Sequence, residues 1–250
     1  MDNSAIATYD VQKDSWYSPI RVVQGFRLLG QEYGDNISKP EFQKAREMFT
    51  AAVALLGAYE LSPENTYYLQ INRQGTSPDV MAAKQTEIPD EPILLELTQM
   101  EVTEFEEHFP SNDIIEFFKR TKLSPKKGYG DKMIIVCMVN RDLPLNHRDI
   151  SQRIRALNPK SSMYILGRSH EGDVAKFVIF SPYPRLTKPV KYDLYETAKK
   201  YYLPFRVQFH LGTTNKISYA KAHLDPSNIY NMFDLDEKKI KTKYKSGKTN

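Results

Sequence analysis

The chain has 250 residues, 40% hydrophobic and 26% charged, with a net charge of +4, which is enough apolar material for one large core or two small ones. No run of about 18 apolar residues occurs, which argues against a membrane span, and the single cysteine, Cys137, excludes an internal disulfide and a cysteine-built zinc site. The first residues, Met1-Asp2-Asn3-Ser4, lack the basic and apolar pattern of a secretion signal, so a cytoplasmic setting is expected.

Residues 1–40 read as a helical N-terminal extension, in which Trp16-Tyr17-Ser18-Pro19 and Phe26-Arg27-Leu28-Leu29 suggest packed elements broken at Gly30 and Gly34. Ser38-Lys39-Pro40-Glu41 carries a helix-start pattern: a serine cap, a proline in the first turn and an acid beside it. From Phe42 the apolar positions 42, 45, 48, 49, 52, 53, 55 and 56 recur with helical spacing, which predicts a helix to about Tyr59. Three strands should follow, over Tyr67–Asn72, Asp79–Lys84 and Ile93–Met100, with turns at Arg73–Ser77 and Pro89–Pro92. Asp113–Leu123 is amphipathic and helical in pattern, and Met133–Val139 is apolar enough for a fully buried strand.

Residues 41–140 thus give an αβββαβ order and an α/β fold class with a central mixed sheet. Residues 141–235 read as a C-terminal α/β addition to the same domain. They hold helices over His147–Leu157 and Tyr192–Tyr201 and strands over Met163–Leu166, Val174–Phe180 and Phe205–Leu211. Residues 236–250 are rich in lysine and read as a basic disordered tail, or as an arm for nucleic-acid phosphates. Charge is segregated elsewhere too: Glu87–Glu116 is acidic, and Lys119–Lys132 is basic.

The chemistry points to two acids. Asp79 follows a turn, in Ser77-Pro78-Asp79, and Glu96 lies inside the apolar strand Leu94-Leu95-Glu96-Leu97-Thr98. A carboxylate in such a strand is costly to bury without a compensating partner, and a metal ion is one such partner. Two carboxylates from adjacent strands suit a hard divalent cation of the kind that assists phosphodiester hydrolysis. Thr98 shares the Glu96 face, because alternate strand residues point the same way.

With this order of elements, Pro78-Asp79 opening the second strand and Glu96-Leu97-Thr98 in the third, the segment 41–140 resembles the PD-(D/E)XK nuclease superfamily. The resemblance implies that Asp79 and Glu96 bind Mg²⁺ or Mn²⁺, that Glu47 on the first helix completes the set, with Glu60 behind it, and that Thr98 stands in the place of the family's lysine. Threonine brings no positive charge, so a displaced lysine, Lys84 or Lys119, would have to replace it, or the site is inactive. The function implied is a metal-dependent nuclease, with DNA favoured over RNA, that cuts as a homodimer or within a protein complex and suits a restriction or antiviral defence system. The alternative is an inactive nuclease-fold subunit that binds nucleic acid or assembles with protein partners.

Lys119, Lys122, Lys126, Lys127 and Lys132 are the candidates for gripping a nucleic-acid backbone. The histidines at 108, 147, 170, 210 and 223 are scattered without metal-ligand spacing, and Ser161, Ser162 and Ser181 lack a nucleophile-elbow context. A structural or protein-interaction module is the third reading.

Overall fold

The structure, a computed structural model, describes residues 16–63, 67–73, 77–86, 94–124, 129, 133–169, 176–184, 187–201, 206–209, 217–220 and 227–244. In chain order the strands are β1 (Trp16–Tyr17), β2 (Tyr67–Ile71), β3 (Val80–Thr86), β4 (Leu94–Glu106), β5 (Met133–Asn140), β6 (Ser162–Arg168), β7 (Lys176–Tyr183), β8 (Val190–Asp193), β9 (Arg206–Phe209) and β10 (Ile217–Ala220). The helices are α1 (Pro19–Tyr33), α2 (Gln43–Leu61), α3 (Ile114–Thr121), α4 (His147–Ala156), α5 (Leu194–Lys200), α6 (Ser227–Met232) and α7 (Glu237–Lys243).

These strands form one mixed sheet in the order β10-β9-β1-β2-β3-β4-β5-β6-β7-β8. β3 runs antiparallel to its neighbours β2 and β4, whereas β4, β5 and β6 run parallel, joined by α3 and α4 as crossovers. Parallel neighbours need such crossovers because the chain must return to the starting end of the sheet. The result is α/β with helices on both faces, as expected. The described strands after residue 141 extend this sheet at both edges, β6, β7 and β8 at one and β9 and β10 at the other.

Alternation along the strands sorts the core into two layers. Val80, Ala82, Met100, Val102, Val136 and Met138 face α1 and α2. Phe105, Ile135, Cys137, Val139, Ile165 and Phe180 face α3 and α4. α2 is buried along almost its whole length, with Ala51 to Ala58 all inside. Gly57 lets it approach the sheet, because a Cβ there would lie 2.8 Å from the Tyr192 ring and 2.9 Å from Ile179.

Local starts and stops differ from expectation in four places. Gly30 lies inside α1 rather than breaking it; α1 is capped by Ser18 and ends at Gly34, whose φ of 54° suits a residue without Cβ. Ser38 does not cap α2, since its hydroxyl donates to the Asp35 carbonyl at 2.7 Å and a 3₁₀ turn over Pro40–Phe42 precedes the helix. Tyr192 belongs to β8, paired with Phe177, and Asp193 then caps α5. The tail is not disordered over 237–243: Asp236 caps α7, Ile240 is buried, and Tyr244 donates to Glu41 at 2.8 Å. Residues 245–250 lie outside the described residues. Among the described residues no helix is long and apolar enough to cross a membrane.

Candidate functional site

The register of β3 against β4 builds the site. Val80 faces Met100, and the Asp79 N–H donates to the Met100 carbonyl at 3.1 Å. β3 starts here while β4 continues six residues further, paired only with β5 on that side. The Asp79 side chain turns into this step, where its Oδ2 accepts from the Val102 N–H at 2.8 Å. Asn72 holds the turn before it, donating through Nδ2 to the Pro78 carbonyl at 2.7 Å.

Glu101 is the carboxylate that shares a lysine with Asp79. It is 3% exposed and sits on the face toward α3. Lys122, just past the end of α3, donates to Glu101 Oε2 at 2.7 Å, and the Tyr129 hydroxyl donates to the same oxygen at 3.1 Å. The same ammonium lies 3.9 Å from Asp79 Oδ2, so one cation stands between two acids. Burial raises the Glu101 carboxyl, but hydrogen bonds from Lys122 and Ser77, the Lys122 charge and the Tyr129 bond outweigh it, and the net shift is downward. Burial beside this acid pushes the Tyr129 phenol up. Glu101 Oε1 is buried and receives no hydrogen bond of ordinary geometry among the described residues, although the Ser77 hydroxyl is near enough to lower the carboxyl.

Glu47 reaches the same step from α2. It lines, with Asp79, Lys44, Asn72 and Asp234, a cavity of about 380 Å³. Burial and the nearby Asp79 charge push its carboxyl up to about 7, against the hydrogen bond it accepts from Gln43 at 2.8 Å. Glu47 therefore shares surroundings with Asp79. Glu60, at the far end of α2, instead accepts from Thr197 at 2.6 Å and Lys200 at 3.1 Å and takes no part.

The other expected site residues separate. Glu96 is opposite Lys84, five positions along β4 from Glu101, or about 16 Å at strand rise. Its backbone therefore stands that far along β4 from the position facing Asp79. Thr98 is opposite Ala82, three positions from Glu101 and on the other face, and Lys84 sits at the opposite end of β3 from Asp79. Neither can act there. Lys119 is exposed on α3, and Lys126, Lys127 and Lys132 lie outside the described residues. Lys122 is not a surface cation but the partner of Glu101.

Glu101 was readable in one respect. Glu101-Val102-Thr103 repeats the glutamate-x-threonine spacing of Glu96-Leu97-Thr98, five residues later. What conceals it is the polar character of Glu101, Thr103, Glu104 and Glu106, which makes the second half of β4 look like acidic surface.

Among the described residues no group of three or more His, Cys, Asp and Glu side chains is set to hold one ion. The fit to a divalent cation rests on the Asp79–Glu101 pair and on the buried Oε1 of Glu101, which receives no hydrogen bond of ordinary geometry among the described residues. Hard oxygen ligands with a bare lone pair are what Mg²⁺ or Mn²⁺ takes, keeping water at its other positions. Compared with known proteins, the chain matches no protein-family model, no curated protein and no solved structure.

Proposed function

We propose that this chain is a divalent-metal-dependent nuclease whose site is Asp79, Glu101 and Lys122. The observation that carries the reading is the sharing of one ammonium by the two carboxylates, with a buried Glu101 oxygen that receives no hydrogen bond of ordinary geometry among the described residues. Asp79 and Glu101 would hold Mg²⁺ or Mn²⁺, with Glu47 at the cavity edge. Such an ion, when bound, polarises a phosphodiester and lowers the pKa of an attacking water. Lys122 keeps Glu101 ionised and oriented, and it brings to this point the positive charge that Thr103, two residues after Glu101, does not. A duplex substrate would call for two such sites, hence a homodimer, and DNA is favoured over RNA.

Purified protein is incubated with plasmid, single-stranded DNA and RNA in Mg²⁺, Mn²⁺ or chelator. Metal-dependent cleavage that Asp79→Asn and Glu101→Gln each abolish, and Glu96→Ala spares, is the expected result. Cleavage that survives both substitutions overturns the assignment.

A second reading has its own support. Lys122 already neutralises Glu101, as it would in a structural ion pair of a nuclease-fold subunit that binds nucleic acid without cutting it. That subunit would bind DNA or RNA with an affinity falling steeply as salt rises, with no metal-dependent cleavage of any substrate.

A further inference from the structure

The direction of the strands decides which cations stand beside the Asp79 site. β4, β5 and β6 are parallel, with Gln99 beside Met133 and Ile134 beside Ser162. The starts of β5 and β6 thus lie level with the start of β3, where Lys122 meets Glu101. A crossover helix must return the chain to this end, so α3 and α4 both finish here, with Lys119, Arg120, Arg153 and Arg155 in their last turns.

Three of these cations are engaged. Arg120 pairs with Glu116, Arg153 pairs with Asp113, and Arg155 donates to the Pro184 carbonyl at 3.2 Å. Lys119 is exposed and has no ion pair among the described residues. It stands three residues before Lys122, whose backbone is still helical, so the two are neighbours on the helix surface. Lys160 is the informative residue. Asn158, at φ 47°, and buried Pro159 turn the chain out of α4 and leave Lys160 exposed just before β6. A cation in the last turn of a helix complements the carbonyls there, but that effect fades beyond the turn. Lys160 lies four residues past Ala156 and has no ion pair among the described residues. Neither helix charge nor pairing accounts for it.

Glu101, Ile135 and Met163 share one row across β4, β5 and β6. Lys160 is therefore two strands across from Glu101 and three residues toward the strand starts, about 14 Å away at ordinary strand spacing and rise. That is the length of about four nucleotides of one strand at ~3.4 Å each. Lys119 stands at the near end of this span and Lys160 at the far end. A small anion would meet only one of them. A phosphodiester backbone carries a charge at every nucleotide, so it meets both and continues to the acids of the site.

We propose that one strand of a nucleic acid lies across the starts of β5 and β6, with phosphates at Lys119 and Lys160, and leads to the Asp79 site. The proposal rests on nucleic acid being what that site meets, but not on cleavage. Phosphate contacts set position and carry no sequence information, so DNA and RNA strands should both serve. The test is fluorescence anisotropy of a labelled single-stranded oligonucleotide with the full chain in chelator, over a range of salt. Lys119→Ala and Lys160→Ala should each weaken binding several-fold and flatten the plot of log affinity against log salt by about 0.7 in slope. Lys238→Ala, on an exposed lysine of α7 away from this span, should change neither. Equal losses at Lys238 would mean bare charge attraction and overturn the proposal. Absence of binding, or binding that neither Lys119 nor Lys160 affects, also overturns it. The same lysine dependence with phosphatidylserine vesicles, and none with the oligonucleotide, would assign the surface to a membrane instead. Asp79→Asn should keep the binding and its dependence on both lysines. Binding of that kind without cleavage in any metal would sink the nuclease reading alone.

Discussion

The Lys122 ammonium lies 2.7 Å from Glu101 Oε2 and 3.9 Å from Asp79 Oδ2, joining the end of α3 to the step where β3 begins beside β4. Both charges of the closer pair are largely out of water, Glu101 almost wholly so. Removing one partner of such a pair leaves the other charge buried and uncompensated. Lys122→Met should therefore cost about 3–5 kcal/mol of stability, read by urea unfolding, and a second substitution, Glu101→Gln, should recover part of it. A Lys122→Met protein as stable as the parent would mean that the pair is solvated and the step open.

Register separates the two glutamates of β4. If the proposed site holds the ion, Mn²⁺ binds the parent protein, followed by water-proton relaxation, and Glu101→Gln and Asp79→Asn should each weaken it by about tenfold or more through loss of a charged ligand. Glu96→Gln should leave it unchanged, since Glu96 stands opposite Lys84. Equal losses in all three variants would mean that the ion is held by diffuse charge rather than by a site.

Gly57 sits where α2 crosses the sheet, under Tyr192, whose hydroxyl donates to the Val53 carbonyl at 2.7 Å. Alanine normally favours a helix over glycine by about 1 kcal/mol. Here the added methyl would lie under 3 Å from the ring and from Ile179, and overpacking of a core costs about 1–3 kcal/mol. The clash should win, so Gly57→Ala lowers the melting temperature. A rise would mean that the Tyr192 ring shifts freely.

The C-terminal helix is tied down rather than loose. Ile240 is 2% exposed, and Lys243 and Tyr244 both engage Glu41. Ile240→Ala should cost about 2–5 kcal/mol, the range for emptying a buried aliphatic site, as measured by thermal unfolding. A cost below that of an exposed substitution would free the segment again.

Asp113 caps α3, its Oδ1 accepting from the Ile115 N–H at 2.9 Å, and pairs with Arg153 of α4. Burial is the largest single influence and raises its carboxyl, but the Arg153 bond and charge and the backbone bonds together outweigh it and lower the carboxyl below the ordinary aspartate value. A depressed carboxylate contributes stability above its unfolded pKa, near 4, and that contribution is lost as pH falls through the folded value. Asp113→Asn keeps a good cap but not the charge. The stability gap between parent and variant should be present at pH 7 and shrink by about pH 3. A gap unchanged between those values would mean that the ion pair contributes nothing.

Segments with strong local signals were legible. The α2 spacing from Phe42, the apolar run Met133–Val139 and the turn before Asp79 each announce their element within a few residues, because burial pattern and turn chemistry are local properties. Tyr192 was not: alternating between Lys191 and Asp193, it reads as well on a helix as on a strand, and only pairing with β7 decides between them.

By itself, the sequence determined the αβββαβ order, the α/β class and the position of Asp79 at the start of a strand. Which glutamate stands beside Asp79 was decided by tertiary structure alone. Glu96 and Glu101 offer the same local pattern five residues apart, and the choice depends on how far β4 slides against β3 and how long it stays paired to β5. A register is chosen by which side chains the whole sheet can bury, and that sum over distant residues is not contained in any short stretch of chain.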